Sequence, residues 1–158
     1  MTIPLTVEQA VSAHRVLRSD LFGPLDITDD ALIEFSAGLL GFPECRSWAL
    51  LRGTKDGTAW LQSADHSTLV FLLVDPFVFF EGYAAELSEG ELRQLRAKDA
   101  GEITVFAIVT LPAAGEQVCS ANLQGPLVLN LAARRGVQVV LGEGPFGVRA
   151  PIPMTALL

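Results

Sequence analysis

Charged side chains are scarce in this sequence, and most of those present are acidic. Only 18% of its 158 residues are charged, with 11 Lys and Arg against 18 Asp and Glu, which gives a net charge of −7. A negative surface repels nucleic-acid phosphates, so we expect no direct binding to nucleic acid. The same charge favours encounter with a basic protein partner, because complementary potentials steer association.

Long apolar runs are also missing. No stretch reaches the roughly 20 apolar residues that a membrane helix needs. The first residues, MTIPLTVEQAVSAHR, lack the basic region followed by an apolar region that marks a secretory signal. We therefore expect a cytoplasmic protein without a membrane segment.

Cysteine and histidine are too few for a metal site or a disulfide framework. Cys45 and Cys119 lack the C-x-x-C spacing, and His14 and His66 are the remaining soft ligands. Reduced, buried thiols are the expected state in a cytoplasmic protein.

Catalytic motifs are weak or absent. Residues 142–147, GEGPFG, match G-x-G-x-x-G, but Pro151 and Pro153 follow closely where a dinucleotide site needs a helix, so we predict a turn. Residues 65–67 are Asp, His and Ser, the residue types of a hydrolase triad, but consecutive positions cannot easily place them in line. We predict a protein that is not an enzyme, with no catalytic residues, no cofactor and no metal.

What the sequence does contain is apolar side chains, at 50% of all residues. This composition predicts a folded domain that buries a large core. We predict a mostly β protein, an antiparallel β-barrel-like single domain over residues 14–151, with an N-terminal extension over 1–13 and a C-terminal tail over 152–158. A short helix over 6–13 is predicted within the extension. The predicted strands are two that meet at Gly23-Pro24, then 33–35, 48–51, 59–63, 69–74, 103–111, 118–123, 126–131 and 137–141, with Gly136 suited to a positive φ between the last two.

Within the predicted domain, the sequence signals predict one α-helix, which begins after residue 88. Ser88 suits the N-cap and Glu91 the capping-box position three residues later, which predicts a helix from Glu89 to about Lys98. We expect this short α-helix to pack on the outside of a sheet, because its apolar residues share one face.

The stretch 69–83, LVFLLVDPFVFFEGY, is the centre of the predicted fold. Its first six residues predict a strand buried on both faces, which Asp75-Pro76 ends. The aromatic residues that follow either close one end of the core or form a partner-binding edge, and different rings can do each. The residues that we predict to be buried are Trp48, Trp60, Leu72, Val74, Val105, Val109 and Leu129.

Four stretches of the chain resemble the bacterial flagellar assembly factor FliW family: 32–43, 59–83, 103–112 and 120–130. The combination of W-L-Q-S, D-P-F and A-N-L-x-x-P-h-V-h-N, where h is apolar, carries the resemblance. It implies a cytoplasmic β-barrel-like protein without a cofactor that binds flagellin, as a chaperone does, and also binds CsrA, an RNA-binding translational repressor. The family antagonises CsrA and so relieves repression of flagellin translation.

The partner-contact residues that we predict lie in two stretches, after residue 74 and around residue 123. For Asn122 and Asn130 the alternative is that their amides bond backbone groups at strand ends. An enzyme or ligand-binding barrel with an unrecognised site remains the second hypothesis for the whole chain, and we expect a monomer when it is free. The predicted contact residues are Asp75, Pro76, Phe77, Phe79, Phe80, Tyr83, Asn122, Leu123 and Gln124.

Overall fold

Seven strands close into a barrel in the part of the chain that the computed structural model describes, residues 14–158. The strands are β1 His14–Ser19, β2 Gly23–Thr28, β3 Leu32–Phe35, β4 Ser47–Arg52, β5 Thr58–Ser63, β6 Val70–Val74, β7 Thr104–Thr110, β8 Val118–Asn130, β9 Arg135–Gln138 and β10 Ala150–Pro153. Around the ring the order is β8-β7-β6-β5-β4-β3-β9, and β9 returns to β8. All neighbours are antiparallel except β3 and β9, which run parallel. The prediction of a mostly β, barrel-like fold is confirmed.

The longest strand, β8, replaces two strands that the sequence predicts separately. Its register against β7 shifts between Phe106 and Ile108, so that Ile108 faces Asn122 and Phe106 faces Leu127. The Asn122 side-chain oxygen accepts the backbone N–H of Gln124 and of Gly125, each at 3.1 Å, within the irregular segment. The first half of β8 also pairs with β10 and the second half with β9.

Two parts of the chain lie outside the ring: the β1–β2 hairpin, and β10 with the residues that follow it. The hairpin packs Leu17 and Ile27 against Ala49 of β4. At the other end of the chain, Ile152 and Leu157 are buried in the core with β6, β7 and β8. The predicted domain boundary at residue 151 therefore falls inside β10, and the last residues pack as part of the barrel's core. The extension over 1–13, with its predicted helix, lies outside the described residues.

Strand β6 separates two apolar cores, as its uninterrupted apolar sequence predicts. Leu72 and Val74 point into one core, and Leu73 points into the other, since successive side chains leave opposite faces of a strand. Every residue predicted to be buried is so except Trp60, which is half-buried. Its indole meets the ring of Phe22 edge to face at 5.4 Å, and Phe22 is itself exposed on the β1–β2 hairpin.

Two short helices, rather than one, occur in the described chain: α1 Pro76–Phe79 and α2 Glu89–Gln94. Helix α1 was not predicted. Asp75-Pro76 was interpreted only as the end of a strand, but it also begins this helix. Helix α2 has the predicted capping box but ends before Lys98, since Arg96 takes a φ of 55°. No helix within residues 14–158 has the length and apolar character that spanning a bilayer requires.

The Asn130 amide fixes the end of α2. Its nitrogen donates to the carbonyl oxygens of Leu95 at 2.9 Å and Arg96 at 3.3 Å, and its oxygen accepts the N–H of Ala133 at 3.2 Å. Asn130 is buried, so these bonds satisfy polar groups that water cannot reach. Asn122 and Asn130 both use their side chains to bond backbone groups, which is the alternative to a partner contact for these residues.

Gly136 does not have the positive φ that its place before a strand suggested. Arg134 takes the left-handed conformation instead, with φ 56°, and Gly136 lies within β9. A Cβ at Gly136 would lie 2.4 Å from an atom of the buried Phe35 ring. Glycine is needed there because the Phe35 ring of β3 packs directly on the backbone of β9.

Candidate functional site

Helix α1 presents two apolar side chains to solvent. The Asp75 carboxylate accepts the N–H of Phe77 at 2.9 Å, and Pro76 occupies the first helical position, where its missing N–H leaves no bond unmade. This single turn leaves Phe77 52% exposed and Val78 64% exposed, while Phe79 packs against the core. Adjacent exposed apolar side chains on a fixed turn are typical of a protein-binding surface.

Behind α1 lies a group of rings that we call the aromatic cluster: Phe77, Phe80, Tyr83 and Phe146. Tyr83 is at its centre, with ring centroids 5.5 Å from Phe77 and 5.5 Å from Phe146, both edge to face. Phe80 meets Phe146 at 6.4 Å. Such edge-to-face contacts add about 0.5–1.5 kcal/mol each beyond area burial. The exposed ring of Phe77 is thereby supported from below.

Tyr83 also ties the cluster to β8. Only 6% of Tyr83 is exposed, and its hydroxyl donates to the carbonyl oxygen of Leu123 at 2.8 Å. That bond joins the two stretches in which the sequence places partner-contact residues. The tyrosine itself therefore supports the surface and exposes only a small part of its side chain.

The loop over residues 142–147, which we call the glycine loop, covers the other side of Tyr83. Backbone bonds hold both of its ends on β8: Leu141 N–H donates to Gln124 at 2.8 Å, and Leu123 N–H donates to Gly147 at 3.0 Å. The loop begins no helix, as predicted, and β10 follows it. Its structural role is to place Phe146 on the aromatic cluster.

An open cleft of about 280 Å³ lies between Tyr83 and the glycine loop. Its walls include the apolar side chains of Leu123, Leu141 and Phe146, together with the carboxylates of Glu86 and Glu143. No Lys, Arg or His lines this cleft. It is therefore an apolar recess with an acidic rim.

Negative charge is concentrated around this surface. Residues 75–91 contain five Asp and Glu and no Lys, Arg or His. One of the five, Glu81, is exposed directly after Phe80. Within residues 14–158 the one contact at salt-bridge distance joins the His14 imidazole to Asp26 at 3.3 Å, so the carboxylates of Glu81, Glu86 and Glu143 have no cationic partner there.

The predicted contact residues lie close together, but they differ in exposure and therefore in how easily a partner can contact them. Phe77 is exposed, Phe79 and Phe80 are half-buried, and Pro76 and Tyr83 are buried. On β8, Gln124 and the buried Leu123 line the cleft, whereas the Asn122 side chain accepts the backbone N–H groups of the two residues that follow Leu123. The prediction omitted Val78, Glu143 and Phe146; Val78 shares the turn with Phe77, whereas nothing in the local sequence links residues 143–146 to Tyr83.

The alkaline titration of Tyr83 should report its burial. Burial raises the pKa of the Tyr83 phenol above its usual value of 10.0. The folded state therefore retains a proton that the unfolded state loses, and stability should fall as the pH rises past about 10. Since the chain has one tyrosine, tyrosinate absorbance follows this group alone. We expect a midpoint above 10.0 in the folded protein and near 10.0 in denaturant; equal midpoints would contradict the buried position.

The remaining candidate residues carry no reactive arrangement in the described chain. Cys45 and Cys119 are buried free thiols, and burial raises the pKa of both, with Glu44 and Asp65 adding to the effect at Cys45. No group of three or more His, Cys, Asp or Glu is placed to hold a metal within residues 14–158. The segment 65–67 is held by Ser63, whose hydroxyl accepts the backbone N–H groups of Asp65 and His66, each at 3.1 Å.

Comparison with known proteins gives a consistent result. The sequence model of the FliW protein family matches residues 16–152. A flagellar assembly factor FliW from Treponema denticola is 35% identical over 136 residues, 86% of this chain and 92% of that protein. One from Moorella thermoacetica is 36% identical over 129 residues, 81% of this chain and 82% of that protein. A crystal structure described as the flagellar assembly factor FliW has a TM-score of 0.77 and 26% identity, covering 89% of this chain and 96% of that one.

Proposed function

This chain belongs to the FliW family of flagellar assembly factors, and we propose that it binds flagellin and the RNA-binding translational regulator CsrA. By occupying CsrA it relieves the repression of flagellin translation. Accumulated flagellin occupies the same protein and so restores repression. The chain acts by binding proteins and catalyses no reaction.

The observation that carries this proposal is the exposed pair Phe77 and Val78, which lies near an apolar cleft with an acidic rim. Exposed aromatic side chains such as that of Phe77 are enriched at the centres of protein interfaces, and a rigid support lowers the entropy that binding costs. Here the support consists of the Asp75 cap and the ring of Tyr83. We propose that the partner contact lies on α1, on the glycine loop and on the cleft between Tyr83 and that loop.

The charge of the chain suits a basic RNA-binding partner. Attraction between a protein of net charge −7 and a basic protein raises the association rate, and apolar burial then determines how long the complex lasts. The acidic side chains are interspersed with apolar ones rather than arranged in a dense run that imitates phosphates. We therefore propose that the chain binds CsrA beside its RNA site and opposes RNA binding without direct competition.

A titration with RNA tests this mechanism. With CsrA and a saturating amount of this protein, raising the RNA concentration should not restore RNA binding, because the two sites differ. Moderate salt should slow association of the two proteins more than it speeds dissociation, since screening weakens long-range attraction. Fluorescence anisotropy of a labelled RNA and stopped-flow mixing measure these two effects. Complete displacement of the protein by excess RNA would contradict the mechanism.

The absence of CsrA binding would contradict the regulatory part of the proposal. If flagellin still bound under those conditions, the function would reduce to that of a flagellin-binding assembly factor. Failure to bind either protein in a co-purification from mixed pure components would overturn the proposal as a whole.

A further inference from the structure

We infer that the cleft beside Tyr83 receives an apolar side chain from a protein segment whose neighbouring residues are lysine or arginine. This inference rests on the proposed function, because it assumes that the cleft belongs to a protein-binding surface. It goes further by assigning the chemistry of the segment that fits. Size, charge and rigidity of the cleft each support it.

The size of the cleft fits a side chain. Its volume of about 280 Å³ lies at the lower limit of small-molecule sites, which are about 300–1,000 Å³. Leu123, Leu141 and Phe146 are among the residues that line this space, and it is open to solvent. A protruding leucine, methionine or phenylalanine can enter it from solvent while its main chain stays at the rim.

The charge at the rim selects the residues on either side of that anchor. Glu86 and Glu143 line the cleft, and Glu81 follows the half-buried Phe80. None of these carboxylates is paired with a cation within residues 14–158. A segment with lysine or arginine beside its apolar anchor can pair with them, whereas an acidic segment would be repelled.

The walls are already in place before a partner binds. The Tyr83 hydroxyl is bonded to Leu123, and backbone bonds fix both ends of the glycine loop on β8. Phe146 is held by ring contacts with Phe80 and Tyr83. A recess that needs little reordering keeps more of the interaction energy as affinity, so even a short segment should bind measurably.

Two short synthetic peptides test the inference with the full-length chain. One carries a single phenylalanine among lysines, and the other carries the same phenylalanine among glutamates. Amide chemical shifts of the isotope-labelled protein are followed during each titration. We expect the lysine peptide to shift residues 81–86 and 141–147 and to bind at least about ten-fold more tightly than the glutamate peptide. Equal binding of both peptides, no binding, or shifts confined to other residues would overturn the inference.

A pair of variants tests the role of the rim. Glu86→Gln with Glu143→Gln should weaken binding of the lysine peptide roughly five-fold to ten-fold, because two partly exposed charge pairs are lost. The control is Glu44→Gln with Glu116→Gln, which removes the same charge from exposed positions that do not line the cleft. Equal weakening by both pairs would show that net charge alone matters and would overturn the inference.

The peptide experiment is independent of flagellin and CsrA. If wild-type protein binds the lysine peptide in the cleft but neither natural partner, the proposed function fails and the chemistry of the cleft stands. If both partners bind while the cleft ignores the peptides, the inference fails and the proposed function stands.

Discussion

Replacing Trp48 with alanine should lower the free energy of unfolding by about 3–5 kcal/mol, the range for removing a large aromatic side chain from a packed core. Trp48 is 0% exposed, and its indole N–H donates to the Cys45 carbonyl at 2.9 Å. The variant leaves a cavity beside Phe71, whose ring centroid is 5.7 Å away, and leaves the carbonyl without its bond. Urea denaturation followed by circular dichroism measures the loss.

The matched control is Trp60→Ala. Trp60 lies on the neighbouring strand β5 and is half-buried, with Phe22 of the hairpin covering part of it. Since less apolar area is lost and solvent can fill the space, we expect less than half the cost of Trp48→Ala. Equal costs for the two variants would contradict the assignment of Trp48 to the core and of Trp60 to its edge.

Replacing Phe77 and Val78 together with serine should weaken the binding of flagellin or CsrA by at least about 30-fold, which corresponds to roughly 2 kcal/mol. Phe77 is about half exposed and Val78 mostly so, and the ring contact of Phe77 with Tyr83 is the main one lost, so the melting temperature should fall by only a few degrees. The reason for the loss is that a partner buries these two side chains on a rigid turn. Calorimetric titration and thermal melts of the same samples measure the two quantities.

The control is Leu111→Ser with Val118→Ser, a similarly exposed apolar pair in which Leu111 directly follows β7 and Val118 begins β8. This variant should bind both partners as the wild type does. Phe79→Ser is a second contrast, because Phe79 packs against the core and its loss should lower stability. Unchanged binding in the Phe77 and Val78 variant would place the interface elsewhere.

Much of the fold was predictable because its signals are local. The apolar run that becomes β6 is buried on both faces, and Ser88 and Glu91 form the capping box that their spacing predicts. The combination of W-L-Q-S, D-P-F and A-N-L-x-x-P-h-V-h-N also indicated the family. Each single motif, like the apolar run and the capping box, lies within a short stretch of sequence.

The features that were missed depend on contacts between distant parts of the chain. Gly136 was expected in a turn, but the requirement for glycine comes from Phe35, about a hundred residues earlier, and cannot be seen locally. Likewise, nothing near Phe146 indicates that its ring rests on Tyr83. Helix α1 was missed for a different reason, since Asp75-Pro76 is equally compatible with the end of a strand and the start of a helix.

Hydrogen–deuterium exchange of the full-length protein, alone and saturated with flagellin or with CsrA, tests the central claim most directly. The claim is that partners bind on α1, on the glycine loop and on the cleft between Tyr83 and that loop. We predict slower exchange in residues 76–86 and 141–147 on binding of at least one partner, because their amides become buried. Protection confined to other surfaces, such as the β1–β2 hairpin or residues 110–118, with no change at α1 or the glycine loop, would contradict it.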